Sequence, residues 1–418
     1  MSNAAITDLN QEIKERKLPE GFTMAGVTFV LAALSWIGPF SIDTYLPSLP
    51  AIAKNFKVPT AEVQQTMTAF ILFFAIMSIW HGAISDSYGR RRLTLISTAL
   101  FVVASIGCAL SISVQMLMFF RAVQGATAGA GMIVGRAVVR DLFSGPAAQR
   151  LMSHVATIFT IAPVLAPVFG GWLQVWFGWR SIFAFMAIMS GLVLLSCWRF
   201  LPETLPVEKR RKLRPLPMAL SYWRVLTQPA FLMSCGSMAF TSAGFFIYIL
   251  GAPIFLMKHL HLHETQFLWL FLPNSVAMVI GAWISGRCAG KISGNQTIAV
   301  GYVVMTVAAI GNVTMNLVAP PMLPWSIVPV FIYIIGMSIA MPSLTLLGLD
   351  LFPTQRGLAA SCQGFISLGA NSMVSAFVAL VWGTSLSLAT TELVMLAAGV
   401  ITVLLYMQFK TVTAPDVP

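Results

Sequence analysis

The sequence carries very little charge. Of its 418 residues only 9% are Asp, Glu, Lys or Arg, whereas 57% are hydrophobic. A soluble globular chain has about 25% charged residues, so this composition excludes an ordinary soluble domain and indicates a protein that crosses a membrane many times. Basic residues outnumber acidic ones, 25 to 14, but they fall in short runs between apolar segments. We therefore expect a lipid bilayer as partner and no nucleic acid.

Cysteine is also scarce. The five cysteines all lie in or at the edge of apolar runs, at Cys108, Cys197, Cys235, Cys288 and Cys362. This placement argues against a disulfide framework and against a zinc site. In HLHLHE, the spacing of His259, His261 and His263 raises a metal site as an alternative. We expect a solvated external loop there, and no metal.

Motifs of enzymes and ATP-driven pumps are missing. No Walker motif is present, so ATP drive is unsupported. No Ser-His-Asp set or carboxylate pair can be argued, and we expect no enzyme and no cofactor. The first twenty residues are polar with mixed charge and lack the apolar core of a signal peptide. They are predicted to form a cytoplasmic tail.

Apolar runs of about twenty residues, the length that crosses a bilayer as a helix, dominate the rest of the chain. Twelve are present, at 22–46, 60–82, 93–113, 115–139, 151–174, 181–201, 229–252, 265–286, 296–318, 323–349, 357–382 and 388–408. They predict an all-α membrane protein with twelve transmembrane helices in two six-helix bundles. The bundles are 22–201 and 229–408, with a cytoplasmic linker at 202–228 and tails at 1–21 and 409–418.

Two similar halves are typical of transporters, whose substrate site lies near the bilayer midplane between them. The alternative is a membrane scaffold or a membrane enzyme with the same number of spans. Basic residues set the orientation, because they collect on the cytoplasmic side. The Arg90–Arg92 cluster, Arg140, the run from Lys209 to Arg214 and Arg356 share one side. Both termini are therefore predicted to be cytoplasmic.

The loop after the second run, GAISDSYGRRR, combines glycines, which permit a tight reversal, with charges. It resembles the G-x-x-x-D-x-x-G-R-[KR] loop of the major facilitator superfamily, through Gly82, Asp86, Gly89, Arg90 and Arg91. The resemblance implies a latch on the cytoplasmic side. In it Asp86 meets the positive N-terminus of the eleventh helix, near Gly357, and Arg90 pairs with Asp141. The alternative is that these arginines only follow the orientation rule.

The fourth run, FFRAVQGATAGAG, contains an arginine that is costly in hydrocarbon unless it faces a polar interior. Gln124 lies three residues after Arg121 and shares its helix face. With Gly125 they resemble the R-x-x-Q-G motif of the same superfamily. That resemblance implies that Arg121 takes part in proton coupling. A structural role, with hydrogen bonds to carbonyls of the first helix, is the alternative.

The fifth run, IAPVLAPVFGG, resembles the antiporter motif G-x-x-x-G-P-x-x-G-G of the superfamily's exporters. Pro167, Gly170 and Gly171 match, Pro163 lies one turn earlier, and Ala162 and Ala166 stand where glycines are usual. Small residues four apart let helices approach closely, and proline bends a helix. Because alanine preserves much of that smallness, the motif implies export.

The opening run ends in GPFSIDTYLPSLPAIA, where Asp43 stands in an otherwise apolar segment. SIDTYLPSLPAIA resembles the I-D-x-Y-L-P-x-[LF]-P-x-[IM] signature of the Bcr/CflA drug-resistance group, and PETLP after the sixth run fits the same group. The resemblance implies proton-driven export of small drug-like molecules such as antibiotics from the bacterial inner membrane. We expect a monomer, with protons and drug-like substrate as small partners.

Mechanistically, we expect Asp43, with Arg121 and Gln124, to exchange protons against substrate as a single coupling carboxylate, because Ser35 stands where some relatives carry a second acid. Whether Asp43 faces the cavity or the external headgroups stays open. Aromatic and polar residues that could line a cavity for drug-sized ligands are Tyr45, Phe245, Tyr248, Trp269, Asn274 and Tyr333; simple packing is the alternative. Two rival functions stay open, an importer or exchanger of a metabolite on the same fold and a non-transporting sensor or assembly factor.

Overall fold

A computed structural model describes residues 24–143, 145–210 and 212–412, without the side chains of 24–25, 145–150, 153–160 and 409–412. The described chain is helical. Its fourteen α-helices are α1 (Met24–Asp43), α2 (Leu49–Phe56), α3 (Thr60–Tyr88), α4 (Arg90–Ala109), α5 (Val114–Leu142), α6 (Gly145–Phe177), α7 (Arg180–Phe200), α8 (Pro215–Leu226), α9 (Pro229–Leu250), α10 (Leu268–Cys288), α11 (Gly294–Val318), α12 (Val328–Leu349), α13 (Arg356–Val381) and α14 (Ser385–Val412).

Eleven helical segments of the described chain are long and apolar enough to cross a membrane, and they overlap eleven of the twelve predicted runs. The twelfth run, 151–174, lies in α6, where the side chains of 153–160 are outside the described residues and the described apolar part is Ile161–Phe177. The protein is therefore a multi-pass membrane protein. The count of twelve and the side on which the termini lie stay predictions.

Local sequence signals explain several helix boundaries. The Ser113 hydroxyl accepts a hydrogen bond from the Met116 amide and caps α5. A capping box of Ser293 and Gln296 begins α11. The predicted linker 202–228 contains a helix that the sequence reading missed, α8, and the Tyr222 hydroxyl donates to the Ile79 carbonyl of α3 at 3.0 Å. The linker is thus partly docked on the first bundle.

Glycines allow close helix contacts in each half. A Cβ at Gly125 of α5 would lie 2.0 Å from the Phe70 carbonyl oxygen of α3. In the second half, a Cβ at Gly301 of α11 would lie 2.6 Å from the carbonyl oxygen of Gly336 in α12, and the reverse distance is 2.7 Å. Helices in lipid associate through such close backbone approach, because apolar side chains alone give little preference for a neighbouring helix over lipid.

The two halves meet tightly at one end of the molecule. We call the end that carries Arg90, Arg140 and Gly357 the basic end, and the opposite end, where α3 begins and α13 finishes, the far end. At the far end Ser375 of α13 accepts hydrogen bonds from Gln64 Nε2 at 3.2 Å and from the Thr68 hydroxyl at 3.0 Å. The Gln65 amide donates to the Ala376 carbonyl at 3.2 Å. The far end is therefore closed.

A cavity of about 580 Å³ separates the halves at the basic end. Asp86, Arg90 and Arg140 line it from the first half, and Gly357 and Leu358 line it from the start of α13. The halves thus close at the far end and part at the basic end, as expected of one extreme of an alternating-access cycle.

Candidate functional site

Arg121 is the centre of a buried polar cluster in the first half. Its side chain is 0% exposed. One guanidinium nitrogen donates to the Ser41 carbonyl of α1 at 3.2 Å and to Gln124 Oε1 at 2.9 Å. The guanidinium also lies 4.6 Å from the ring centre of Tyr45 and 4.3 Å from that of Phe70. Carbonyl, amide and aromatic contacts of this kind replace water around a buried cation.

Arg121 has no carboxylate counter-ion in this conformation. The four ion pairs among the described residues join other groups, and Arg121 Nε has no hydrogen-bond partner. Asp43 belongs to the segment that surrounds Arg121. Arg121 contacts Ser41, two residues before Asp43, and Tyr45, two residues after Asp43. Asp43 is itself 6% exposed. The first half therefore holds a buried acid and a buried cation that do not pair.

Gln124 continues the cluster. Its amide nitrogen donates to the Ser105 hydroxyl of α4 at 2.8 Å, while its oxygen accepts from Arg121. The Tyr45 hydroxyl is 2.7 Å from that of Thr66 in α3. Tyr45, predicted to line a cavity, thus packs on Arg121 inside the first half. The cluster joins α1, α3, α4 and α5.

The residues of the antiporter motif lie on the face of α6 that meets α1 and the second half. Ala162 and Ala166 are fully buried against Phe40 of α1. A Cβ at Gly170 would lie 2.1 Å from the carbonyl oxygen of Thr44, the residue after Asp43, and one at Gly171 would lie 2.1 Å from the Glu264 carbonyl of the second half. The motif therefore lets α6 pass between Asp43 and the opposite half.

Pro163 and Pro167 lie inside α6. Each removes a backbone hydrogen bond, which permits the helix to bend. The close approach at Gly170 holds this helix directly beside the end of α1.

The loop predicted as a latch is organised by Arg90. Arg90 pairs with Asp86 and, at 3.2 Å, with Asp141, the predicted partner on α5. It also donates to the Ser85 hydroxyl at 2.5 Å. Arg91 donates to the Trp198 carbonyl of α7 at 2.7 Å. These contacts all lie within the first half.

Asp86 does not bind the N-terminus of α13 here. It pairs with Arg90, and it faces Gly357 and Leu358 across the basic-end cavity, which Gly82 also lines. This is the geometry of a latch that is open on the basic side. The role of the loop as a latch stays a prediction.

Glu203, which the sequence analysis did not single out, contacts this loop. Its Oε1 accepts from the Arg90 amide at 2.9 Å, at the start of α4, where a carboxylate is favoured by the helix dipole. Gly89 has a positive φ of +100°, and a Cβ there would lie 2.3 Å from Glu203 Oε2. Glu203 lies in the PETLP stretch, which fits the drug-resistance group, and this stretch could have indicated the contact.

The predicted cavity-lining residues of the second half differ in their burial and in their hydrogen-bond partners. Tyr248 and Tyr333 are buried, and Tyr333 donates to the Thr241 carbonyl at 3.0 Å. Phe245 is half-buried and packs on the neighbouring Phe246. Asn274 is 3% exposed, and neither its amide nitrogen nor its amide oxygen has a hydrogen-bond partner. Asn274 is therefore a polar group that a ligand could satisfy.

The structure corrects the prediction that Trp269 lines a cavity. Its side chain is 49% exposed, so its assignment to a buried cavity is wrong. It belongs to a stripe of exposed apolar residues at helical spacing on α10, formed by Trp269, Leu272, Val276, Val279 and Trp283. Such a stripe faces lipid, whereas Asn274 lies on the buried side of the same helix.

The described residues hold a second buried acid besides Asp43, and the sequence analysis did not single it out. The single coupling carboxylate stays a prediction. Glu392, in the last predicted run, is 0% exposed. Asn312 of α11 donates to its Oε2 at 2.7 Å. An acidic residue within the apolar run 388–408 was the sequence signal that could have indicated this buried acid.

No metal site emerges in the region around the three histidines. His259 Nε2 is 2.8 Å from the Trp382 carbonyl. Within the described ranges, no group of three His, Cys, Asp or Glu side chains could hold a metal ion.

Comparison with known proteins agrees with this architecture. The family model described as Major Facilitator Superfamily matches residues 28–374. Among solved structures, the crystal structure of a D-xylose-proton symporter superposes with a TM-score of 0.70 at 15% identity, covering 91% of this chain and 97% of that one. At that identity the likeness concerns the fold alone.

Curated relatives include drug-resistance transporters. The chain is 31% identical over 362 residues to an uncharacterized MFS-type transporter, YdgK of Bacillus subtilis (strain 168), covering 86% of this chain and 90% of the relative. It is 29% identical over 262 residues to a bicyclomycin resistance protein homolog of Haemophilus influenzae, covering 63% and 66%. It is 27% identical over 347 residues to the multidrug transporter MdfA of Yersinia pestis, covering 82% and 84%.

These relatives confirm the resemblance to the Bcr/CflA-type drug-resistance group. The chain belongs to the Major Facilitator Superfamily, and it is a membrane transporter, not an enzyme.

Proposed function

We propose that this protein exports small, amphipathic, drug-like molecules across the bacterial inner membrane in exchange for protons. The observation that carries the proposal is that Asp43 and Arg121, a buried acid and a buried cation of the first half, do not pair. The drug-resistance relatives support the substrate class, and the antiporter motif beside Asp43 supports the direction.

The physical reason for proton coupling is the cost of an isolated buried charge. An ionised Asp43 without a partner would be several kcal/mol less stable than a neutral one. When the halves move, α6 shifts against α1 at Gly170, and this motion changes what surrounds the carboxyl. Asp43 then releases its proton in one conformation and binds it in the other. Arg121 supplies the fixed positive charge that favours release.

The closed far end and the open basic end provide a structural basis for alternating access. Opening the far end breaks the hydrogen bonds of Ser375 with Gln64 and Thr68. Closing the basic end brings Asp86 toward the N-terminus of α13. Asn274, with both amide atoms unpartnered, is the residue we assign to hydrogen-bonding a neutral or singly charged substrate.

The test is Asp43→Asn in proteoliposomes that are acidic inside. For an antiporter, this gradient drives labelled chloramphenicol or bicyclomycin inward. Wild-type protein should accumulate drug and release protons, whereas Asp43→Asn should do neither. The matched control is Asp350→Asn, because Asp350 is exposed in a pair with Arg356. Undiminished gradient-dependent transport by Asp43→Asn would refute the coupling role, and accumulation under the opposite gradient would indicate an importer.

A further inference from the structure

Glu392 is the centre of a second buried polar cluster, in the second half. Asn312 donates both of its amide hydrogens, one to Glu392 Oε2 and one to the Tyr248 hydroxyl, each at 2.7 Å. The other carboxyl oxygen, Glu392 Oε1, is buried without a hydrogen-bond partner. Asn312, Tyr248 and Glu392 are each at most 1% exposed. The cluster joins α9, α11 and α14.

No positive charge is available to Glu392 from the helices packed around it. The titratable groups that face it are tyrosines, namely Tyr248 of α9 and Tyr333 of α12. Within α9, α11 and α12 the sequence contains no Asp, Glu, Lys, Arg or His. Helix α13 carries one charged residue, Arg356, at its opposite end. A buried carboxylate without a cation is costly, so the neutral acid is the stable form in this setting.

A cavity connects this cluster to the far end. It has a volume of about 110 Å³ and lies between the end of α11 and the start of α12, lined by Asn312, Asn316 and Ser326 among others. Asn316 donates to the Asn312 carbonyl at 2.8 Å and to Asn312 Oδ1 at 3.0 Å. A polar chain therefore runs from the cavity through Asn316 and Asn312 to the carboxyl of Glu392. Water in such a cavity would have the polar partners it needs.

We propose that Glu392 is a proton-binding site of the second half, which exchanges its proton with the far end through the cavity lined by Asn316 and Asn312. The site is separate from Asp43 and does not depend on the coupling role proposed above. Each half of the transporter would then hold one protonatable carboxyl.

A proton fits this site better than a metal cation. Sodium, calcium and magnesium need about six oxygen ligands, whereas the cluster offers one carboxyl group and one phenol. Asn312 Oδ1 is already occupied by Asn316. The free Oε1 of Glu392 is the atom that would carry the proton.

Infrared spectroscopy of purified protein tests the proposal directly. The Asp43→Asn protein is the starting point, so that Glu392 is the remaining buried carboxyl among the residues that the structure describes. It should show a carboxylic-acid carbonyl band at neutral pH that Glu392→Gln removes. Glu62→Gln, at the start of α3, is the matched control and should leave the band in place. Absence of the band in Asp43→Asn protein, or its loss on adding sodium at constant pH, would overturn the proposal. Both results can be read without Glu392→Gln, should that variant fail to fold.

The proposed route is tested by the rate at which the band shifts in D₂O. Asn316→Leu should slow this exchange about two- to tenfold, the range that the loss of one hydrogen bond supplies, without changing the size of the band. Asn295→Leu, at the exposed opposite end of α11, should have no effect. An unchanged rate in Asn316→Leu would refute the route. None of these readouts requires transport, so they fail or succeed independently of Asp43.

Discussion

Ser375→Ala is expected to shift the protein toward the state that is open at the far end. The hydroxyl of Ser375 is fully buried and accepts from both Gln64 and Thr68, across the boundary between the halves. Each hydrogen bond contributes about 0.5–1.5 kcal/mol net, so the variant should destabilise the far-end-closed state by about 1–3 kcal/mol. That free energy corresponds to a change of about 5–150-fold in the conformational equilibrium.

Hydrogen–deuterium exchange with mass spectrometry measures this shift. Peptides that cover 60–70 and 371–381, at the far end, should exchange faster in Ser375→Ala than in the wild type. Peptides that cover 82–92 and 356–361, at the basic end, should exchange more slowly, because that end closes when the other opens. Ser196→Ala is the matched control, since its exposed hydroxyl bonds only the Leu192 carbonyl of its own helix.

Two results would refute this reasoning. Unchanged exchange at both ends would mean that the Ser375 hydrogen bonds do not contribute to closure. A similar change in Ser196→Ala would mean that the effect is a general loss of helix stability, unrelated to the contact between the halves.

The other predictions concern glycines with matched controls. Gly89→Ala should lower the melting temperature more than Gly178→Ala does. Both glycines have a positive φ, which costs about 1–2 kcal/mol for alanine. Only at Gly89 would the new Cβ clash, 2.3 Å from a carboxylate oxygen, because nothing lies within 4 Å of a Cβ at Gly178. Equal melting temperatures would contradict this. Gly170→Val should abolish drug efflux, because its Cβ would lie 2.1 Å from a carbonyl oxygen of the segment after α1. Gly191→Val, with open space around it, should retain efflux, and efflux by both variants would show that α6 tolerates the wider spacing.

Much of the charged architecture could be predicted from local sequence. Arg121 and Gln124 are three residues apart on one helix, so their hydrogen bond follows from helix geometry. Arg90 precedes one apolar run and Asp141 follows the next, on the same predicted side of the membrane. Their pairing could therefore be predicted. The hydrogen bond from the Arg90 amide to Glu203 joins residues far apart in the chain and was missed.

The sequence could not indicate which face of each helix points inward. Trp269 and Asn274 both lie in one apolar run, yet Trp269 faces lipid and Asn274 is buried. Lipid and protein interior are similarly apolar, so hydrophobic periodicity distinguishes them weakly. Packing against neighbouring helices decides the face, and packing depends on the whole bundle.

By itself the sequence determined the class of this protein. Its apolar runs are long enough to cross a bilayer, and a scarcity of charge leaves few positions, such as Asp43 and Arg121, where chemistry in the membrane is possible. Tertiary structure alone decided that these two charges do not pair, that Ser375 closes the far end against a helix of the other half, and that Glu392 meets Asn312 and Tyr248. The physical reason is that each of these contacts depends on the positions of helices distant in the chain, which local hydrophobicity and spacing do not encode.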